Sequence, residues 1–426
     1  MPNNHFSVPE ILLDRMPKVD LRKSHPEISK LMQDSKLGKL SGENNNVQFC
    51  GLVCAHREGS TFAAVFLPRK SQISKDSDLD TAKVTMQVIA KYCRSKTRED
   101  NSGQEDSGGS WLSIIKSIAD DFIEYGIYSD RHRIQGRNSG KANWARTIVR
   151  ETPLIGYTGN IVYPNIYTSR AQDNHDNLLA QMQVTMLKEI AVDHGWWLSG
   201  LTKELSILRG LQPLKIDRQL WPIKLKALLP NLFSTRAIRL TKYLIKYLAQ
   251  ESHNSKRPFL FGLDDFHNVW EKMLRDVLDN SEAGWNAELP KPVFYIADTK
   301  IQKPSGMEMD IVVRQGSNLI IVDAKYYDAR TVETSPQWSD ISKQLMYEIS
   351  LKDLQSKNGF SGKIYSCFVF PDFLESSEEK FTDIKMEYAK SGALSDLPII
   401  RCFYIPIVKV MQAYLNNDKI TLPSIT

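Results

Sequence analysis

Apolar residues along the chain follow two periods, and the switches between them mark out successive regions. Over 47–56 and 61–69 they form short β-branched and aromatic runs, separated by Arg57-Glu58-Gly59-Ser60, whose glycine suits a tight turn. A hairpin is expected there, within a β-containing N-terminal region of residues 1–95. Residues 96–110 are rich in Gly, Ser, Asp and Glu and hold no apolar anchor, the composition of a flexible loop or linker. From 111 to 256 the period becomes helical: 111–126 and 177–197 are amphipathic, and 234–250 repeats Leu240, Tyr243, Leu244, Tyr247 and Leu248 at helical spacing. Pro258 and Gly262 open a last region, 257–426, in which strand and helix periods alternate. The expected architecture is α/β and multidomain with a mainly helical middle, and no repeat of fixed period appears.

In the last region, β-branched runs at 309–313 and 319–325 flank the polar turn Arg314-Gln315-Gly316-Ser317-Asn318. They read as a hairpin whose second strand ends in Asp323-Ala324-Lys325. Residues two apart on a strand share a face, so Asp323 and Lys325 project together, and Asp310 from the first strand can share a divalent ion with Asp323. Two carboxylates suffice to fix Mg²⁺ against a phosphate, because the ion wants oxygen ligands and keeps several waters. The metal acidifies a water and neutralises charge on the phosphate, while a lysine beside it orients or helps deprotonate that water. A chain that is 25% charged produces Asp…Asp-x-Lys often by chance, so the flanks decide. Upstream, Phe266, Val269, Trp270, Met273, Leu274 and Val277 make 264–279 an amphipathic helix with Glu271 at its border, placed to be a third metal carboxylate. Downstream, a helix from 340 sets Gln344 and Tyr347 one turn apart, and Gln344 is expected to position the metal water or the scissile phosphate. Strands at 363–371 and 399–405 complete the order.

Met309-Asp310 followed by Asp323-Ala324-Lys325 resembles the PD-(D/E)xK nuclease signature, with Met in place of Pro. Phe266-His267-Asn268-Val269-Trp270-Glu271, Asp323-Ala324-Lys325-Tyr326-Tyr327, and Asp340-Ile341 with Lys343-Gln344 and Tyr347 resemble the LlaJI-type restriction endonuclease family, a relative of the McrC nuclease component of modification-dependent restriction systems. Asn143-Trp144-Ala145-Arg146 and Phe49-Cys50-Gly51-Leu52-Val53 look familial too. One departure is that related nucleases often carry Gln and Tyr four apart, whereas Gln344 and Tyr347 are three apart. The resemblance implies a PD-(D/E)xK core in 257–426. It also implies Mg²⁺-dependent hydrolysis of double-stranded DNA, with Mn²⁺ able to substitute, and a separate McrB-like AAA+ GTPase partner.

Composition narrows the setting. A net charge of +5 suits a polyanion partner. The segment Arg131-His132-Arg133, Arg137, Lys141 and Arg146, interleaved with Gly136, Gly140 and Trp144, is the candidate nucleic-acid contact outside the catalytic region. Five scattered cysteines make no disulfide framework or zinc spacing, so a reducing cytoplasm is expected. Neither a signal segment nor a run of about 18 apolar residues is present, which argues against secretion and membrane spanning. Gly38-Lys39-Leu40, Gly140-Lys141-Ala142 and Gly362-Lys363-Ile364 all lack the rest of a phosphate-binding loop, so nucleotide hydrolysis is expected of a partner. Two other readings stand beside the nuclease subunit. One is a non-enzymatic adaptor that stimulates a GTPase, and the other is a stand-alone nuclease on structured DNA or RNA.

Overall fold

The computed structural model describes residues 9–35, 37–38, 45–57, 60–72, 78–99, 107–174, 177–198, 201, 216–254, 259–296, 299–302, 306–358, 361–376, 379–388, 392–393 and 397–425. It is a mixed α/β protein of two compact units, one made of Met1–Ser113 with Asn254–Thr426 and the other of Ile114–His253. Among the described residues, no helix is long and apolar enough to cross a membrane.

The larger sheet of the first unit is built around the expected hairpin. Ile311–Gln315 and Asn318–Ala324 pair antiparallel, with Ile311 opposite Val322, and turn at Gly316, whose φ of 62° favours glycine. Asn318–Ala324 then pairs in parallel with Ile364–Asp372, which pairs in parallel with Ile400–Pro406. Ser281–Glu282 and Asp383–Ile384 close the two edges. Parallel neighbours require a crossover, and the helix Trp338–Asn358 lies in the connection between the first two. The central strands are near-continuous apolar runs because both faces are covered. Leu319 and Ile321 pack with Tyr347 and Leu351 of that helix, and the alternating Ile320 and Val322 are equally buried. The helix Phe266–Val277 lays its apolar stripe on the sheet, where the Trp270 indole N–H points at the Val369 carbonyl at 3.4 Å.

A second sheet in this unit orders Glu10–Leu13, Ser60–Leu67, Cys50–Arg57 and Phe259–Leu263. The hairpin expected near the N-terminus is its centre, and Phe259–Leu263 pairs beside it. That pairing joins the two ends of the chain into one unit. It depends on Gly51 and Gly262, which face each other: a Cβ on Gly51 would lie 2.1 Å from the Phe261 carbonyl oxygen, and one on Gly262 would lie 2.2 Å from that of Cys50.

In the second unit, Asp130–Arg137, Tyr167–Asn174 and Lys141–Ala142 form a three-stranded sheet, and Leu154–Ile155 pairs with Ile161–Val162. The helix Leu178–His194 starts where the Asn177 side chain accepts the Ala180 N–H at 2.8 Å. Helices enter the stretch expected as a loop at 96–110 from both sides. Asp78–Glu99 and Ser107–Tyr125 are helices, and 100–106 lie outside the described residues. The buried turn at Trp111, Leu112 and Ile115 extends its helix back over a sequence poor in helix formers.

Candidate active site

Asp310 sits just before the first hairpin strand, and its Oδ2 accepts the Ala324 N–H at 2.9 Å. One carboxylate is thereby stitched to the backbone between the other two expected residues. Asp323 is 8% exposed. Lys325 Nζ lies 3.1 Å from Asp323 Oδ1 and 2.9 Å from Asp340 Oδ1, with its ammonium 5.7 Å from the centre of the Phe368 ring. Burial and the adjacent Asp310 charge push the Asp323 carboxyl up to about 6, against the pull of Lys325 and of the Gln344 amide. Asp310 is raised as well, by burial and by Glu271. Burial pulls the Lys325 ammonium down, but Asp323 and Asp340 outweigh it and hold the group above its ordinary value. The lysine is therefore a fixed cation at neutral pH.

Glu271 lies close enough to act on Asp310, yet its carboxylate is paired with Arg275 one turn along the helix. Arg275 Nε in turn donates to the Asp310 main-chain oxygen at 3.2 Å. Gln344 is fully buried beside Asp323, toward which its amide acts, and among the described residues its amide oxygen has no hydrogen-bond partner. Tyr347 turns elsewhere: its hydroxyl donates to the Glu308 carbonyl at 2.5 Å, and its ring belongs to the core. Among the described residues, no three acidic, His or Cys side chains converge as a ready-made metal cluster. The donor set nevertheless fits a hard divalent cation. It offers the buried Asp323 and half-buried Asp310 carboxylates, whose repulsion is incompletely offset, and a buried amide oxygen that has no partner among the described residues, all oxygen ligands.

Two features of the site escape sequence reading. Asp340 was within reach of it, because it precedes Gln344 by four on one helix face, but nothing in the chain pairs it with Lys325. The second is a clamp on the residue after the lysine. The buried Tyr326 hydroxyl donates to Asp14 Oδ2 at 3.1 Å and accepts the Arg69 N–H at 3.0 Å, while Arg69 Nη1 donates to the Tyr326 carbonyl at 3.3 Å. Asp14 also accepts the Phe49 N–H, and Lys70 pairs with Asp328 at 2.8 Å. The N-terminal layer thus grips the chain immediately beyond Lys325.

The basic segment of the second unit spans the strands Asp130–Arg137 and Lys141–Ala142 and enters the helix Trp144–Arg150, which holds Arg146. Arg131 and Arg133 occupy Asp130–Arg137, and their side chains lie outside the described residues. Gln135 and Lys141 both pair with Ser169, so Gln135, Arg137 and Lys141 share one sheet face. Arg137 and Arg146 both lie over the Tyr167 ring, at 5.1 and 4.9 Å, and Arg137 also donates to its hydroxyl at 3.0 Å. Lys141 is exposed, as are the apolar Val149, Ile155 and Tyr157 of the following elements.

This frame and site sit inside a recognised class. The LlaJI restriction endonuclease family matches residues 49–407, and the chain belongs to that family. It is similar to the type II restriction enzyme BsuMI component YdjA of Bacillus subtilis (strain 168), at 24% identity over 304 residues. The match takes in 65% of this chain and 60% of that protein.

Proposed function

We propose that the chain is the cutting subunit of a restriction or anti-phage system, a Mg²⁺-dependent endonuclease that hydrolyses phosphodiesters of double-stranded DNA. The observation that carries this reading is the convergence of Asp310, Asp323 and Lys325, with the buried Gln344 amide beside Asp323. The PD-(D/E)xK core is assigned to 257–426, with 111–256 as a helical middle domain, 96–110 as a connector and 1–95 as the N-terminal region. Asp310 and Asp323 would hold the ion, Mg²⁺ or Mn²⁺, with Glu271 as a third carboxylate. When bound, such an ion would supply polarisation of the phosphate and acidification of the attacking water. Lys325, kept charged between Asp323 and Asp340, orients the nucleophile and offsets negative charge in the transition state. The Gln344 amide positions the water or a phosphate oxygen.

The second unit is assigned to recruitment. Arg131, Arg133, Arg137, Lys141 and Arg146 contact DNA phosphates. The exposed Val149, Ile155 and Tyr157 suit a protein partner, since an apolar patch on a charged surface marks an interaction site. An McrB-like AAA+ GTPase in the same cytoplasm is the partner that fits a chain without a phosphate-binding loop, and the name of the Bacillus relative, a component, accords with an assembly. The intact acid and lysine set argues against a decayed adaptor. Mixing the purified chain with such a partner, DNA, Mg²⁺ and GTP should give cleavage that is absent from every mixture lacking either protein. Efficient cutting at a defined sequence by the chain alone would overturn the partner assignment.

A further inference from the structure

A notch of about 270 Å³ opens between the helices Asp78–Glu99 and Phe266–Val277. Tyr92, Ser95 and Lys96 line it from the first helix, and Asn268, Lys272 and Arg275 from the second. Glu271 is its one carboxylate, so three cations face one anion. The notch adjoins the acid site, because Arg275 pairs with Glu271 and also binds the Asp310 main-chain oxygen at 3.2 Å. Lys272 is 3.3 Å from Asp276 across one helical turn. Such a pair at a surface is weak, so an anion bound by several donors can displace it. The volume lies below the range of about 300–1,000 Å³ usual for small-molecule pockets, which admits a phosphate group with its waters rather than a whole nucleotide.

We infer that this notch seats a backbone phosphate of the substrate DNA flanking the scissile bond, held by Lys96 and Lys272 with polar support from Asn268 and Ser95. The inference rests on the nuclease reading and adds to it a substrate contact from the N-terminal part of the chain. Lys96 would bring that part directly onto the DNA being cut.

The test uses the full-length chain, a fluorescent DNA duplex, and Ca²⁺ in place of Mg²⁺ so that binding is read without cutting. Affinity is measured by anisotropy between about 50 and 200 mM salt, where phosphate contacts dominate. The charge-reversed double variant Lys96→Glu with Lys272→Glu should bind about tenfold more weakly and show a salt slope smaller by about 1–2, since each phosphate left unneutralised removes roughly 0.9 from it. Lys96→Arg with Lys272→Arg should keep both. A charge-reversed chain with native circular dichroism and wild-type affinity and slope would overturn the notch. In that case cutting by the wild type, lost in Lys325→Ala, still upholds the nuclease reading. Failure of the wild type to bind duplex both alone and with the nucleotide-hydrolysing partner would overturn both.

Discussion

At the residue scale, the informative fact is that Asp323 is harder to ionise in the folded chain than out of it. Burial and the neighbouring Asp310 raise its carboxyl to about 6. A carboxyl raised in this way adds stability below the ordinary carboxylate range and loses it as pH climbs through about 6. At neutral pH the metal-free site should therefore weaken the fold, by an amount of order 1–3 kcal/mol, and a divalent cation should restore it. Thermal unfolding near neutral pH is expected to shift upward on adding Ca²⁺ or Mg²⁺. The shift should fade as pH falls through about 6, where protons compete for the same oxygens. Asp323→Asn should raise the metal-free melting temperature and abolish the ion-induced shift. The same shift in Asp323→Asn as in the wild type would place the cation elsewhere.

At the element scale, the strand ending at Ala324 is held from both sides: its apolar residues bury in the sheet, and the turn after Lys325 is gripped by the N-terminal layer through Tyr326. Tyr326→Phe leaves the buried Asp14 carboxylate and the Arg69 N–H short of a partner. It should cost about 1–3 kcal/mol in chemical denaturation and slow cleavage through misplacement of Lys325. Unaltered denaturation would mean the clamp is incidental. The hairpin and the Glu271 helix were legible in the chain because apolar periodicity dictates them, the Gln344 helix was read from the spacing of Gln344 and Tyr347, and the spacing of Asp323 and Lys325 follows from the strand. The clamp was not, since Asp14 and Tyr326 are 312 residues apart and no local pattern links them. The strand at Asp130–Arg137 was also hidden, because its charged residues show no alternation of apolar and polar positions and it forms by pairing with Tyr167–Asn174. Glu271 could be placed on its helix from sequence, and Arg275 four residues on was equally visible as its ion-pair partner.

At the scale of the whole molecule, the unit that contains the candidate active site is assembled from both ends of the chain, with Ile114–His253 set between them in sequence. Truncation up to about residue 255 would strip away Asp14, Arg69 and the strands that pair with Phe259–Leu263, so a loss of activity in such a fragment would say little about recruitment. Excising 114–253 is the sharper way to separate recruitment from cutting. The central claim is the chemical one: Asp310, Asp323 and Lys325 form a single metal-dependent nuclease site. Its most direct test is the rate of DNA cleavage, with Mg²⁺ and the proposed nucleotide-hydrolysing partner present, by the wild type and by a natively folded Lys325→Ala chain. The account predicts a fall of about a hundredfold or more, the scale of removing a charged group that acts in the transition state. Cleavage by Lys325→Ala at the wild-type rate would contradict it.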